Sequence, residues 1–308
     1  METSNIYDDA KIIVCKSTAA ENIRSFVQRA ALSNLPVLLL GETGVGKEVV
    51  AREIHKWSKR REGPFIPINS SCIPENLVES ELYGFRKSAF TDAKQDKIGL
   101  IEGANGGTFF FDEISEIPLR IQTKLLRMIE RKEIMRLGDN RTRKIDVRFI
   151  FAINKDLREE VEEGRFREDL YYRICILELY IPPLRERKED IPLLVENILK
   201  EENKQNNGNK RISKESLAKL MEYHYPGNIR ELENIIKRAY VFSDGDEISA
   251  EDIRLTQETT KNGIRKKSRF SKEKIIDSLV KHQGNKTKAA KQLGMSRRHI
   301  YRLLNFKK

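Results

Sequence analysis

Hydrophobic positions in the first part of the chain follow two alternating patterns. Up to about Pro183, apolar runs of strand length, "PVLLL", "TFFFD", "VRFIFAIN" and "ILELYI", alternate with amphipathic stretches such as "KEVVAREIHKWSKR" and "RIQTKLLRMIERKE". Short apolar runs predict buried strands, whereas apolar residues three and four positions apart predict helices. The alternation therefore predicts an α/β fold in which helices cover a sheet.

The strand pattern stops near Arg185. The segments "EDIPLLVENILKEENKQ", "SKESLAKLMEYH" and "GNIRELENIIKRAYVF" carry apolar residues at helical intervals, which predicts a small all-helical unit. A polar, aperiodic stretch follows and indicates a linker, and a further helical pattern ends the chain. These patterns predict four parts, with boundaries at 1–184, 185–255, 256–268 and 269–308.

Composition limits the cellular setting. The 308 residues are 39% hydrophobic, which is ordinary for a globular protein. Cys15, Cys72 and Cys175 are widely spaced and odd in number, so they indicate neither a disulfide framework nor a metal site. No apolar run is long enough to span a bilayer, and the acidic start lacks the basic region of a signal peptide. We expect a cytoplasmic protein that does not bind a membrane.

Charge is concentrated at one end of the chain. The net charge is +11, yet residues 261–308 hold 16 Lys and Arg against two acids, so the remainder is close to neutral. A basic end on a neutral body is typical of a module that binds a polyanion such as DNA. A solvated lysine-rich terminus has the same composition, and charge alone does not separate the two.

A glycine-rich loop joins the first apolar run to an amphipathic stretch in "LLLGETGVGKEVVAREIH". In a P-loop, glycines let backbone N–H groups surround the β-phosphate, and the lysine reaches the β and γ oxygens. The motif predicts an ATP site. Its position after Lys47 holds Glu48 in place of the usual Ser or Thr ligand, so Mg²⁺ should be held mainly through water and a second acidic motif. The predicted nucleotide-binding residues are Gly41, Glu42, Thr43, Gly44, Val45, Gly46, Lys47 and Glu48.

Acidic and amide residues follow two later strands. In "GGTFFFDEI", the Asp112 carboxylate can hold Mg²⁺ and the Glu113 carboxylate can polarise the attacking water. Asn154 follows "VRFIFAI", where it can sense the γ-phosphate or simply occupy a strand-end turn. In "EEGRFREDLYYRI", the arginines can form surface ion pairs or act as arginine fingers from a neighbouring subunit, and the spacing alone favours ion pairs.

The basic tail contains a helix-turn-helix pattern, "KTKAAKQLGMSRRHIYRLLN". Gly294 supplies the turn, Ser296 is a suitable N-cap, and Ile300 can dock the second helix. Arginine pairs with guanine in the major groove, and lysine suits phosphates. The predicted DNA-binding residues are Lys286, Thr287, Ser296, Arg297, Arg298, Tyr301 and Arg302.

Six strings together resemble a known family. "GETGVGKE", "ESELYG", "GGTFFFDEI", "GRFREDLYYR", "PPLRERKEDI" and "YPGNIRELENII" have the order and spacing of the AAA+ central domain of sigma-54-dependent transcription activators, the bacterial enhancer-binding proteins. The tail is similar to the Fis-type DNA-binding domain of that family. The resemblance covers nearly the whole chain. It implies an ATP-hydrolysing ring, usually hexameric, that remodels closed complexes of sigma-54 RNA polymerase, with 185–255 as a helical lid.

The resemblance also implies roles for individual residues. Gly41 to Glu48 would form the Walker A motif, and Asp112 with Glu113 the Walker B motif. Asn69, in "PINSSC", is similar to the residue that holds the Walker B glutamate in a glutamate switch. The remaining roles fall on Arg167 and Arg173, as arginine fingers acting on a neighbouring subunit, and on Arg230, as the sensor II arginine.

Partners follow from the same resemblance. Fis-type domains bind as dimers at paired half-sites, so palindromic enhancer-like DNA is expected. Fewer than about forty residues precede the P-loop strand, too few for the family's usual N-terminal regulatory domain. If Met1 is the native start, control is expected from a separate protein or from the expression level.

The stretch "ELYGFRKSAFTDAK" carries the family's sigma-54 contact loop in altered form. The family tip "GAFTGA" here consists of Ser88, Ala89, Phe90, Thr91, Asp92 and Ala93. The Phe-Thr pair is kept, but both glycines, which allow positive φ, are replaced, and Asp92 adds a charge. Two hypotheses stay open: an activator with an altered sigma-54 contact, or a DNA-binding regulator that uses ATP for assembly and no longer acts through sigma-54.

Overall fold

The computed structural model describes residue 15 and residues 17–90, 93–255, 278 and 282. The chain divides into two units, Met1–Ile253 and Arg254–Lys308. In the second unit, the backbone N–H of His282 donates to the carbonyl oxygen of Ser278 at 3.1 Å, the spacing of a helical bond. All elements below lie in the first unit.

Strands and helices are numbered in chain order over the described residues. The strands are β1 (Val37–Leu40), β2 (Phe65–Asn69), β3 (Gly84–Phe85), β4 (Lys97–Ile98), β5 (Thr108–Asp112), β6 (Glu133–Ile134), β7 (Arg143–Lys144), β8 (Arg148–Ile153), β9 (Leu177–Tyr180), β10 (Arg211–Ile212) and β11 (Glu247–Ile248). The α-helices are α1 (Thr18–Ala31), α2 (Lys47–Lys56), α3 (Val78–Tyr83), α4 (Leu100–Gly103), α5 (Leu119–Arg131), α6 (Leu157–Glu162), α7 (Glu168–Ile174), α8 (Ile191–Asn206), α9 (Lys214–Glu222) and α10 (Asn228–Phe242). Short 3₁₀ turns cover Ser70–Cys72, Ile114–Glu116, Leu184–Glu186 and Lys188–Asp190.

The main sheet has five strands in the order β2-β5-β8-β1-β9, and every neighbouring pair is parallel. The central strands are apolar because both faces are covered: every residue of β8 is buried, as are the first four of β5. Phe109, Phe111, Phe149 and Phe151 contact one another across these two strands. The amphipathic α5 buries its apolar side in the same core.

Four candidate site residues share one edge of this sheet. Gly41 follows β1, Asn69 and Asp112 end β2 and β5, and Asn154 follows β8. Carboxyl ends of parallel strands lie at the same edge, where α/β proteins bind their ligands. The register pairs Asn69 directly with Asp112.

The edge strand β2 is absent from the sequence predictions. It contains Pro67, which cannot donate to a sheet ladder and normally argues against a strand. The carbonyl oxygen of Pro64 accepts from Thr108 N–H at 2.8 Å, so alternation along β2 turns the Pro67 nitrogen toward the outer edge. The strand tolerates proline because, in the described part of the chain, no strand pairs with the outer edge of β2.

The lid consists of α8, α9 and α10, joined by a two-residue parallel pair, β10 and β11. This pair adds a small strand component to a unit that the sequence predicts as all-helical. Ser213 caps α9 by accepting from the Ser216 N–H. Among the described residues, no helix has both the length and the apolar character needed to cross a bilayer.

Candidate active site

The P-loop runs from the end of β1 to the start of α2. Gly44 has φ +80° and Gly46, the N-cap of α2, has φ +102°, both in the left-handed region that favours glycine. A Cβ at Gly44 would lie 2.4 Å from the carbonyl oxygen of Gly227, so this position has no room for a side chain. The loop leads into the positive end of a ten-residue helix, an arrangement that binds phosphate.

Lys47 lies inside this loop. Its Nζ donates to the carbonyl oxygens of Gly41 at 2.7 Å and Glu42 at 3.2 Å, and only 7% of the residue is exposed. Burial lowers the pKa of Lys47, while the nearby carboxylates of Glu113 and Asp112 raise it in opposition. The side chain therefore bonds to the loop backbone, and its charge interacts with the two carboxylates at the end of β5.

The two acids differ in backbone geometry. Asp112 ends β5 in extended conformation, whereas Glu113 has φ +57°, which is uncommon for a residue other than glycine. Burial raises the pKa of both carboxyl groups, and the charge of Lys47 opposes that rise. The backbone thus turns sharply at Glu113, directly after the strand that ends with Asp112.

Asn69 bonds to Asp112 and not to Glu113. Its Nδ2 donates to Oδ2 of Asp112 at 3.3 Å, and its Oδ1 accepts from the N–H of Ser71 at 2.9 Å. The resemblance implies a contact between Asn69 and Glu113; the described structure differs because the β2–β5 register places Asn69 opposite Asp112.

Two further residues contact the P-loop or its helix. The Nδ2 of Asn154 donates to Oγ1 of Thr43 at 3.1 Å, which brings the end of β8 to the loop. Glu48 is exposed, and its Oε1 accepts from Nη2 of Arg52 at 2.6 Å. Glu48 is therefore paired along its own helix.

The lid contacts the P-loop through residues to which the sequence analysis gives no role. Arg185 donates two hydrogen bonds to the Glu42 carboxylate, at 2.8 and 2.6 Å. Asn228 donates from Nδ2 to Glu42 Oε2 at 3.1 Å and to the carbonyl oxygen of Thr43 at 3.0 Å, and its Oδ1 accepts from Leu184 N–H at 2.8 Å. Both lie in quoted strings, "PPLRER" and "YPGNIR", but only the fold shows their common target.

Arg230 lies beside the same loop. Its backbone N–H points to the carbonyl oxygen of Gly44, which Ile229 N–H also approaches at 3.0 Å. The side chain is exposed; its charge adds to the effect of burial in lowering the pKa of Lys47 and opposes the rise that burial causes in the pKa of Asp112. The lid therefore brings a cation close to the predicted phosphate site.

The two predicted arginine fingers lie on α7. Arg167, the N-cap residue, pairs with Asp169 at 2.6 Å and is 40% exposed at its side chain. Arg173, in the last turn, is exposed, and its side chain makes no ion pair within the described part of the chain. The surface ion pair that the spacing favours is thus present for Arg167.

The altered loop extends from the β3–β4 hairpin. Ser88 has φ +67°, and its N–H donates to the carbonyl oxygen of Ala93 at 2.8 Å. Ala93 N–H donates to the carbonyl oxygen of Phe90 at 3.0 Å and is itself buried. The Phe90 ring packs edge-on against Phe85 at 4.9 Å between centroids, yet 45% of the residue is exposed.

A second hairpin, β6–β7, supports the base of this loop. Arg86 N–H donates to the carbonyl oxygen of Leu137 and Leu137 N–H donates to that of Gly84, both at 2.9 Å. A Cβ at Gly138 would lie 2.7 Å from the Cβ of Ala89, so the second hairpin approaches the loop closely. The two hairpins therefore form one backbone-bonded unit.

Two groups of predicted site residues lie outside the described residues. One is Thr91 with Asp92 at the loop tip. The other is the DNA-binding set, Lys286, Thr287, Ser296, Arg297, Arg298, Tyr301 and Arg302. Their roles stay predictions from the sequence.

The fold and site define a P-loop ATPase with a helical lid. Comparison with known families identifies its class further: the sigma-54 interaction domain matches residues 13–180, an AAA+ ATPase lid domain matches 185–269, and a bacterial regulatory protein domain of the Fis family matches 268–305. The chain therefore belongs to the sigma-54 interaction domain family and is an AAA+ ATPase joined to a Fis-type helix-turn-helix.

Individual relatives agree with this assignment. Phenol regulator MopR of Acinetobacter guillouiae is 43% identical, in a match that covers 97% of this chain and 58% of MopR. Regulatory protein AtoC of Escherichia coli is 41% identical, in a match that covers 96% of this chain and 66% of AtoC. The chain thus spans less than two thirds of these relatives. A crystal structure of NtrX from Brucella abortus has a TM-score of 0.74 at 32% identity, covering 96% of this chain and 69% of that one.

Proposed function

We propose that this chain is an ATP-driven transcription activator that remodels closed complexes of sigma-54 RNA polymerase while bound to DNA. The observation that carries the proposal is the exposed Phe90 on a closed loop, joined through α3 to the strand that supplies Asn69 at the ATP site. Two hairpins that share backbone hydrogen bonds can move as one body when that strand end changes its contacts. Membership of the sigma-54 interaction domain family suggests that sigma-54 is the protein on which this loop acts.

ATP chemistry at this site would use the residues brought together at the sheet edge. Lys47 would contact the β and γ phosphates, Glu113 would orient and polarise water, and Asn154 would sense the γ-phosphate. NtrX of Brucella abortus, 32% identical with a TM-score of 0.72, has been solved in complex with ATP, which supports nucleotide binding here. Arg230 would report nucleotide state to the lid.

Asp112 fits a largely hydrated Mg²⁺. Its carboxylate accepts one long bond from Asn69 and one from the backbone of Glu113, which leaves further acceptor positions on its oxygens. Glu48 pairs with Arg52, so a single protein carboxylate would face the ion, as is common for Mg²⁺ on nucleotide phosphates. The bound ion would neutralise charge on the transferred phosphoryl group.

Assembly would complete the site. Arg167 and Arg173 would act on the nucleotide of a neighbouring subunit in a ring, which the family forms usually as a hexamer. To reach that phosphate, Arg167 would have to leave its ion pair with Asp169. This costs little, because an exposed ion pair contributes little to stability. The Fis-type tails would pair on palindromic DNA half-sites.

The conformation of Ser88 helps to choose between an activator with an altered sigma-54 contact and a regulator that no longer acts through sigma-54. It occupies the left-handed region at φ +67°, where the family has glycine, and the loop is nevertheless closed by backbone hydrogen bonds. A non-glycine residue there costs about 1–2 kcal/mol, which the hydrogen bonds of the hairpins can offset. This supports an altered but usable contact over a regulator that has lost it.

The decisive experiment is open-complex formation by purified sigma-54 holoenzyme on a supercoiled promoter. We expect this chain to support it with ATP, and Phe90→Ala to abolish it while hydrolysing ATP normally. Binding to sigma-54 in the presence of a transition-state mimic of ATP should rise in Asp92→Gly. If neither the unmodified chain nor Asp92→Gly binds sigma-54, the activator proposal is wrong and ATP-dependent assembly on DNA is the better function.

A further inference from the structure

A buried arginine that lies outside the ATP-binding motifs donates a hydrogen bond to the backbone of the P-loop. Arg187 lies between the two 3₁₀ turns that precede α8 and is 1% exposed. Its Nη2 donates to the carbonyl oxygen of Val45 at 3.0 Å. Neither Nε nor Nη1 has a hydrogen-bond partner among the described residues.

A fully buried carboxylate compensates the charge of Arg187. Asp190 accepts hydrogen bonds from Ser17, whose N–H lies 3.1 Å from Oδ1 and whose Oγ lies 2.8 Å from Oδ2. The Cys15 thiol also hydrogen-bonds to Asp190. Burial lowers the pKa of Arg187, and Asp190 opposes that effect. Hydrogen bonds thus join Ser17 to Asp190 and Arg187 to the P-loop, while Asp190 acts on the Arg187 side chain through its charge.

The contact with Val45 fixes the orientation of one peptide group. In a planar trans peptide, the carbonyl of Val45 and the N–H of Gly46 point in opposite directions. A carbonyl held toward Arg187 therefore turns the Gly46 N–H toward the opposite side of the loop. The flanking residues Gly44 and Gly46 have φ of +80° and +102°, and glycine permits alternative conformations at little cost.

We propose that Arg187, whose charge the buried Asp190 carboxylate balances, is a positioning residue for nucleotide binding that prevents the Val45–Gly46 peptide from flipping. The inference rests on the ATP site alone and is independent of the sigma-54 contact. A buried guanidinium with two nitrogens that have no hydrogen-bond partner among the described residues is costly for stability, because an apolar side chain would avoid that desolvation. The hydrogen bond to the carbonyl oxygen of Val45 explains why an arginine occupies this buried position.

The test compares two equally buried arginines. Arg148 is also 1% exposed, but it donates to the carbonyl oxygens of Ala31 and Ala30 at the end of α1, at 3.4 and 2.6 Å. We expect Arg187→Met to raise both the KM for ATP and the Kd of a fluorescent ATP analogue roughly tenfold, with kcat changed less than about twofold. Arg148→Met should lower the Tm and leave KM unchanged. Equal KM values in the two variants would overturn the proposal.

Further variants keep the test informative if Arg187→Met does not fold. Arg187→Lys retains the charge but replaces the planar guanidinium with an ammonium group, so its KM should lie between those of the unmodified chain and Arg187→Met. Asp190→Asn retains the shape of the side chain and should raise KM by less than Arg187→Met. The double variant should resemble Arg187→Met alone, because Asp190 acts on the P-loop only through the charge of Arg187. Unchanged KM in Arg187→Lys and Asp190→Asn, or additive effects in the double variant, would refute the proposal.

Discussion

Replacing Asn228 with alanine should loosen the lid from the P-loop. The side chain is fully buried and makes three hydrogen bonds, to Leu184, Thr43 and Glu42. Each contributes about 1 kcal/mol net, so their loss costs about 3 kcal/mol. Asn228 also has φ +53°, a conformation that alanine adopts about 1 kcal/mol less readily than asparagine. We expect Asn228→Ala to lower the free energy of unfolding by about 4 kcal/mol.

Asn207 provides a matched control. It has φ +50° at the C-cap of α8 and is exposed, so Asn207→Ala changes the backbone preference without removing buried hydrogen bonds. Its expected cost is about 1 kcal/mol. The difference of about 3 kcal/mol between the two variants isolates the side-chain contacts of Asn228.

Urea unfolding followed by circular dichroism and by the fluorescence of Trp57, the single tryptophan, measures both variants. Trp57 caps the C-terminus of α2, the helix that begins at the P-loop, so its signal reports the unfolding of that region. A loss for Asn228→Ala no larger than that for Asn207→Ala would refute the assignment of lid attachment to these hydrogen bonds.

Four further outcomes test the site and the tail. Glu113→Ala should abolish ATP hydrolysis and retain binding of a fluorescent ATP analogue; normal turnover would contradict the role of Glu113. Gly44→Ala should lower ATP affinity at least tenfold in the same assay, because its Cβ would lie 2.4 Å from a backbone oxygen. Arg185 and Asn228 hold the pKa of Glu42 at about 2, so this contact stabilises the protein above the usual carboxyl pKa and is lost as pH falls through about 2. Glu42→Gln should therefore lower the Tm at pH 7, and by progressively less below about pH 4. Removing residues 261–308 should eliminate sequence-specific DNA binding in footprinting and leave ATPase activity intact.

The central strands could be predicted because their chemistry is local. "TFFFD" and "VRFIFAIN" are buried on both faces, so their sequences are almost continuously apolar, and they form β5 and β8. The P-loop could be predicted for a similar reason, since its glycines are required by the geometry of the loop itself. The helical periods likewise indicated α8, α9 and α10.

The contacts that depend on three-dimensional neighbours could not be predicted. Arg185 and Asn228 are ordinary polar residues in sequence, and only the folded lid brings both to Glu42. Arg187 and Ser17 are separated by most of the ATPase core, so nothing local indicates that Asp190 bonds to Ser17 and balances the charge of Arg187. For Asn69, the resemblance implied contact with Glu113, but the strand register determines that it meets Asp112.

The proline in β2 has a consequence for unwanted pairing between copies of this chain. An open sheet edge offers unpaired N–H and C=O groups to which a strand from another chain can add, and this is a common start of aggregation. At Pro67 the outer edge has no N–H to offer, so an incoming strand would lose a hydrogen bond in the middle of a five-residue strand. Pro67 therefore makes it less favourable for the sheets of two copies of this chain to join along β2.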